Sequence, residues 1–554
     1  MKRVFCLLLC LLTVLSCGAC NSQSTPEPLD STGVAEETTT LPPSIPEEAP
    51  KTPTAEIADG IFYMFEGEMR RLNYTVHTPE GAEGDVKWSA SGDCVTVENG
   101  VVYAQKEGFS ILSGGGESTA IVRVLPKELP ILNIDTSGAA ITSKETYVDC
   151  RVDLSTANPD YSFEGARGGI RLRGNSTSSR PKKPYRIKFD SKRNLLGMNE
   201  GEEFKSWVLL AEWYDSSMLH NSTSLSLASV LLTEYTSDWR NVNVYLNGKY
   251  QGVYLLAEQS EINENRVDIE EAGKDTAEIR SGYLFEQEAS STNPLLTLDV
   301  RAYKYTNFLG TYKPHTQYFK WELKNDDVST EQTAFAKRYL QNVFKIIHAA
   351  TYDGNYFALD ENANIVKSNY KTAEETISAL IDVDSLARKY IHSELTCNWD
   401  DRQKSYFMYV DFSEGGTGLL TFACPWDFDH AFYQYGTFKY ADTEAYFALN
   451  RNVWYAMLLN HEFIRARVAE VWQEVYAKTN GFDSVLDMML LITRNYEVDF
   501  RQDADMWNRG SDGRPAGVAD RLTQVASSYQ WLIKRIAWMN GQFSNPKFVT
   551  NGKI

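Results

Sequence analysis

The chain opens on an apolar run, residues 4–15, behind the cations Lys2 and Arg3. Its length suits an export signal and is too short to cross a bilayer comfortably. It closes on Val14-Leu15-Ser16-Cys17, close to the pattern in which a cysteine becomes the new N-terminus and is acylated; Cys20, after Gly18-Ala19, is the alternative. From residue 21 to about 55 the apolar positions give way to Ser, Thr, Pro and Glu, which cannot bury a core and stay extended as a spacer. Alternation then predicts an all-β unit over 56–126. Val86-Lys87-Trp88-Ser89-Ala90-Ser91 reads as a strand with a large anchor, and residues 95–103 as two strands around an Asn99-Gly100 turn. Gly108, Ile111 and the alternating residues 119–124 close the unit.

Beyond residue 127 the two periods mix. Tyr185-Arg186-Ile187-Lys188-Phe189 alternates as a strand, and Asp215 is placed to cap a helix through Met218, Leu219, Leu225, Ala228 and Leu232. Residues 242–246 and 250–258 flank Asn247-Gly248, a hairpin signal. Amphipathic helices are predicted around Tyr339, Val343 and Ile347, around Ala387, Tyr390 and Leu395, and through Tyr529, Ile533 and Trp538. The pattern is α+β with a helical C-terminal half and no internal repeat. No stretch after the signal is apolar enough to span a membrane, so the expected attachment is a lipid anchor.

Composition narrows this further. At 554 residues, two or more domains are the default. A net charge of −19 repels nucleic acid and an anionic membrane face. Four of the eight cysteines, Cys6, Cys10, Cys17 and Cys20, lie in the signal region. Cys94, Cys150, Cys397 and Cys424 form no CxxC, which argues against zinc; Cys397 and Cys424 either pair or stay as buried thiols.

Four segments carry candidate chemistry. Residues 168–190 pack Arg171, Arg173, Arg180, Lys182, Lys183, Arg186 and Lys188 around Gly174-Asn175-Ser176-Thr177, a combination suited to phosphate. The hairpin at 242–259 ends on Glu258, for which a lysine of the first segment is the natural partner. Residues 398–411 follow a helix with Asn398-Trp399-Asp400. Residues 424–433 hold Asp427 and Asp429, which in a strand would face the same way and share a metal. Cations for phosphate, a carboxylate orienting one of them, carboxylates for Mg²⁺ and one near an attacking hydroxyl are what phosphoryl transfer requires.

These segments resemble the CotH (spore coat protein H-like) kinase family. The matching motifs are R-G-N-S with K-K-x-Y-R-I-K-F, N-G-x-Y-x-G-V-Y-L-L-x-E, N-x-D after a helix, and P-W-D-F-D, in that order over roughly 130–545. The resemblance implies an atypical protein-kinase-like domain over 127–554 that uses ATP and Mg²⁺ or Mn²⁺. It implies Asp400 as the catalytic aspartate, with Asp401 a neighbouring register. Asp427 follows as metal ligand with Asp429 next, and Arg173, Lys183 or Lys188, and Glu258 as the nucleotide pocket. Where family members have asparagine before an aromatic-rich strand, this chain has Ser405, a poorer ligand. The run VKWSASGDCVTVENGVVYAQKEGFSILS resembles bacterial immunoglobulin-like domains of surface proteins.

The expected layout is therefore a signal peptide over 1–17, a linker over 18–55, a small immunoglobulin-like sandwich over 56–126 and the α+β kinase-like domain. The expected function is an extracytoplasmic, lipid-anchored kinase acting on hydroxyls of surface proteins. Its partners would be a nucleotide and a protein substrate, the membrane only through the anchor, and no nucleic acid. The rival from another class is a weak or inactive kinase-fold module serving adhesion; glycoside hydrolysis fits a basic loop less well. Metabolic labelling with a fatty-acid analogue should fail in Cys17→Ala. Label lost only in Cys20→Ala moves the site, and label surviving both removes the anchor.

Overall fold

The computed structural model describes residues 52–303, 305–311, 318–432, 442–507, 518–545 and 548. The export signal, Cys17 and nearly all of the spacer lie outside the described residues.

Alternation along 54–125 produces a separate antiparallel pair, Thr54–Ile57 with Tyr74–His77, and two main sheets. Ile61–Phe65, Thr119–Leu125, Gly108–Ser113 and Ser89–Ala90 form one, and Met69–Arg71, Val101–Ala104 and Val95–Glu98 the other. Phe62, Met64, Leu72, Val102, Leu112, Val122 and Val124 share one buried cluster. The Asn99-Gly100 turn forms with both residues at positive φ (49° and 71°). A Cβ on Gly100 would meet the Tyr74 ring at 2.3 Å. The strand expected at 86–91 shrinks to Ser89–Ala90, and Trp88 stands half-buried at the margin, edge-on to Tyr74 at 4.9 Å. The cluster is instead centred on Phe62, Val102, Leu112, Ala120, Val122 and Val124, all fully buried.

Period two sends Tyr63, Phe65 and Arg123 to the other face of the first sheet, and there they are buried too. Tyr63 stacks on Trp239 at 5.7 Å, Phe65 meets Tyr496 edge-on, and Arg123 pairs with Asp238 at 3.0 Å. Residues 51–554 thus form one contact unit.

Seven strands then close a barrel, in spatial order Ile131–Asp135, Val148–Ser155, Phe163–Leu172, Tyr185–Arg193, Phe204–Leu210, Lys249–Glu258 and Trp239–Leu246. Antiparallel neighbours alternate direction, so an odd number cannot close antiparallel. The closing pair, residues 131–134 with 243–246, is parallel. Ile170, Ile187, Trp207, Leu209, Val244 and Leu256 point inward. The predicted hairpin holds, with Asn247 and Gly248 at positive φ. Asp215 accepts from the amides of Ser217, Leu219 and His220, opening the helix His220–Val230. Leu232, expected on that helix, lies past its end and is 61% exposed.

A five-stranded sheet (Leu296–Asp299, Tyr318–Leu323, Gly282–Gln287, Tyr406–Asp411, Thr421–Ala423) faces the helical part. The helices Thr330–Tyr352 and Val383–Thr396 match prediction. The last helix, Val518–Phe543, is rotated from the expected face. Ile533 is exposed, while Trp531, Leu532, Ile536 and Met539 are buried beside Arg535, which pairs with Glu394 at 2.6 Å. A buried arginine interrupts the apolar stripe that sequence periodicity follows. No helix among the described residues is long and apolar enough to cross a membrane.

Breaking a buried pair from one side leaves its partner charge unsolvated. Arg123→Met should therefore cost on the order of 3 kcal/mol in urea unfolding of the chain from residue 52. Unchanged stability would show that Arg240, also on Asp238 at 2.9 Å, suffices.

Candidate active site

The helix Val383–Thr396 stops because Cys397 turns left-handed (φ 46°, ψ 39°). That reversal delivers Asn398, whose side chain does three things. Its oxygen accepts from the Asp400 amide at 3.3 Å, and its nitrogen donates to Asp401 Oδ1 at 3.2 Å and to the Asp427 carbonyl at 3.1 Å. One amide thereby ties the loop after the helix to the segment after Thr421–Ala423.

The short turn Asp400–Arg402 sends its two aspartates different ways. Asp401 belongs to the core: its carbonyl accepts from Asn452, burial weakens its acidity, and the nearby Lys389 is itself pushed down to about 8 by burial. Asp400 lines a cavity of about 260 Å³ with Arg180, Tyr214, Trp399, Lys404 and His430. Lys404 Nζ stands 3.7 Å from Asp400 Oδ1.

The expected strand through Asp427 and Asp429 does not form. Cys424 and Asp427 both take positive φ (48° and 60°), so the backbone turns and the two carboxylates have different neighbours. Asp429 accepts from Asn221 Nδ2 at 2.7 Å, in a buried cluster where Glu212 is held well above the carboxylate range by burial and then by Asp429. Asp427 stays with Asp400. Burial raises its pKa, the charge of Asp400 raises it further, and Arg173, His430 and Lys404 work against both. Ser405 Oγ donates to Asp427 Oδ2 at 3.4 Å, which puts the departing serine at the aspartate it was expected to assist.

Of the basic segment, Arg173 reaches this centre. Its guanidinium lies 5.3 Å from the Trp426 ring; burial lowers its pKa, and Asp427, Asp429 and Glu286 oppose the drop. Lys183 and Lys188 do not partner Glu258. Lys183 Nζ donates to the Ser178 carbonyl at 2.9 Å, bracing its own loop, and Lys188 is exposed. The reason is strand parity. Ile187 lies opposite Trp207, and Trp207 opposite Glu258, so Glu258 has inward parity while Arg186 and Lys188 face out. Glu258 is held by Arg266 Nε at 3.2 Å, Asn199 Nδ2 at 2.8 Å and the Asp238 amide at 2.9 Å, and burial lifts it to about 7.

Sequence reasoning missed Glu261 and Asp503, the acid partners of Arg186 and Lys182, two cations it had singled out. Arg186 pairs with Glu261 at 3.4 Å on the outward face, and Glu261 also takes Arg266 at 2.5 Å. Lys182 is fully buried, bonded to Asp503 and the Val253 carbonyl. Outward parity of Arg186 was the available signal; nothing local marks Glu261 or Asp503. Cys397 and Cys424 are buried thiols. Among the described residues no group of three or more His, Cys, Asp and Glu side chains could hold a metal ion.

A partly buried carboxylate whose pKa is raised by desolvation and a like charge is a stability cost. A group with a raised folded pKa contributes stability at low pH that is lost as pH rises through that pKa. Asp427→Asn should therefore melt at or above the parent temperature at pH 7, with a gap that closes toward the ordinary carboxylate range. A lower melting temperature at pH 7 would mean that Arg173 and Ser405 already compensate the charge.

No curated protein matches the chain. The sequence profile described as CotH kinase protein matches residues 170–511. The match begins within the third barrel strand, so the first two strands needed to close the barrel precede it. It takes in Arg173, Glu258, Asp400 and Asp427 and covers more than half of the chain, which therefore belongs to the CotH kinase family.

Proposed function

We propose that this protein is an extracytoplasmic, lipid-anchored kinase that transfers the terminal phosphoryl group of ATP to hydroxyls of surface proteins. The observation that carries the reading is the junction made by Asn398, which places Asp400 and Asp427 together beside Arg173. Magnesium usually takes one or two carboxylates and completes its shell with substrate phosphates and water. Asp427, partly buried beside a like charge, suits that role, with Ser405 next to it. Bound Mg²⁺ would supply charge neutralisation for the transferring group.

In this reading Arg173 and the Arg186–Glu261 pair balance nucleotide phosphate charge, and Asp400 orients the acceptor hydroxyl and takes its proton. Asp401, turned into the core, has no part in the chemistry. Glu258 acts within the barrel, holding Arg266 against Glu261. The two-sheet unit, similar in sequence to immunoglobulin-like modules, contributes Tyr63 and Arg123 to shared packing, so it is more than a spacer.

Two observations favour the rival, a binding module with little turnover: Ser405 at the ligand position, and an arginine where a lysine was expected on Glu258. Calorimetry and labelled-ATP transfer with the chain from residue 52 separate the readings. Asp427→Ala should lose Mg²⁺-dependent ATP binding, whereas Asp400→Ala should bind ATP and transfer nothing. A parent protein that binds no nucleotide with any divalent ion leaves the binding module. Binding without transfer, rescued by Ser405→Asn, would locate the defect at Ser405.

A further inference from the structure

The cations near the two carboxylates fall into two sets. Arg173 is coupled to Asp427 and to Arg186, which has Glu261 as its acid partner. The second set lies on the other carboxylate. Arg180, Arg402 and Lys404 line the 260 Å³ cavity, and Asp400 is the one carboxylate among its lining residues. Lys404 is the member close to it, at 3.7 Å.

The two arginines are held in place by aromatic rings. Arg402 stacks on Trp399 at 3.9 Å, its Nε has no hydrogen-bond partner, and among the described residues no carboxylate lies within ion-pair distance of it. Arg180 lies 5.1 Å from the Tyr214 ring and donates from Nε to the Tyr214 hydroxyl at 2.8 Å, again with no acid partner among the described residues. Aromatic faces fix a guanidinium's orientation without cancelling its charge, and they leave its remaining N–H groups available to an oxyanion. Lys183 braces the loop that carries Arg180 through the Ser178 carbonyl. In a chain of net charge −19, two orientated arginines with no carboxylate at ion-pair distance among the described residues, Arg402 feeling the charge of Asp400 only from farther off, leave a place for an anion.

Resting on the kinase reading, we propose that this cavity is the acceptor subsite and that it selects an acidic peptide. A Glu or Asp flanking the target residue sits on Arg402 and Arg180, and the target hydroxyl points at Asp400. The hydroxyl oxygen bonds to the terminal phosphorus as the bond to the bridging oxygen breaks. ADP leaves, and the hydroxyl proton passes to Asp400. Arg173 and Arg186 remain for the nucleotide.

The same cations could instead hold nucleotide phosphate, and the test separates the two sources. Fluorescence anisotropy would compare a labelled peptide with one serine flanked by glutamates against its lysine-flanked counterpart. The parent, the double variant Arg180→Gln/Arg402→Gln, and Arg402→Lys would each be measured beside ATP calorimetry and a melting curve. The acidic peptide should bind the parent at least about tenfold more tightly than the basic one. The double variant should lose about tenfold of that affinity, Arg402→Lys should lose less, and ATP affinity should stay level. Equal or stronger binding of the basic peptide overturns the proposal, as does a loss of ATP affinity with peptide binding intact. If the parent binds acidic peptide but no ATP, the subsite stands and the kinase reading falls.

Discussion

The centre of the molecule depends on holding two carboxylates close together, Asp400 buried and Asp427 partly so. Neither burial nor proximity favours that arrangement, because each raises the energy of the charged forms. Asn398 is what imposes it, with one side chain bonded to the amide of Asp400 and the carbonyl of Asp427. An amide can do this where a charged residue cannot, since it donates and accepts at once and adds no charge. The left-handed residues Cys397 and Asp427 on either side of the junction are the backbone counterpart. Strained turns of this kind persist where surrounding contacts over-determine them.

The same logic of buried charge extends through the barrel. Glu258 lies inside the closed sheet because its parity gives it no other place, so its cation must come from within reach of the interior, and Arg266 supplies it. The Asp238 amide bonds to Glu258, the Asp238 carboxylate is held by Arg123 and Arg240, and Arg123 comes from the N-terminal sheet. A charge placed by barrel register is thus stabilised by a segment outside the matched family region. That explains physically why the two-sheet unit packs as closely as it does.

Much of the local structure was legible. The Asn99-Gly100 and Asn247-Gly248 turns formed because few other residue pairs accept two positive φ values. Asp215 opened its helix because a carboxylate satisfies orphan amides. What failed was long-range. The strand Tyr185–Arg193 was read correctly, yet whether Lys188 could meet Glu258 depended on the register of two further strands. The last helix was foreseen with the wrong face because Arg535, buried on Glu394, reads as a surface residue. The P-W-D-F-D segment read as a strand from its two-residue spacing, but Asp427 turns at positive φ, a choice set by tertiary contacts.

The separation of Asp427 from Asp429 has a further consequence for the chemistry. Two aspartates on one strand face would have formed a symmetric acid pair, able to hold a cation without help. The turn instead commits Asp429 to Asn221 and the buried cluster around Glu212, and leaves Asp427 to Asp400 and Ser405. In the proposed reading a cation would therefore find fewer protein ligands than the motif suggests. An incomplete set is an advantage where the remaining ligands are to be the phosphates of a substrate, because binding of the ion and of the nucleotide then become one event. It also makes the residue beside Asp427 matter more than its distance from the reacting atoms would suggest. With few protein ligands in that reading, a hydroxyl at Ser405 in place of the amide that the family resemblance implies would change a large share of what the protein itself contributes.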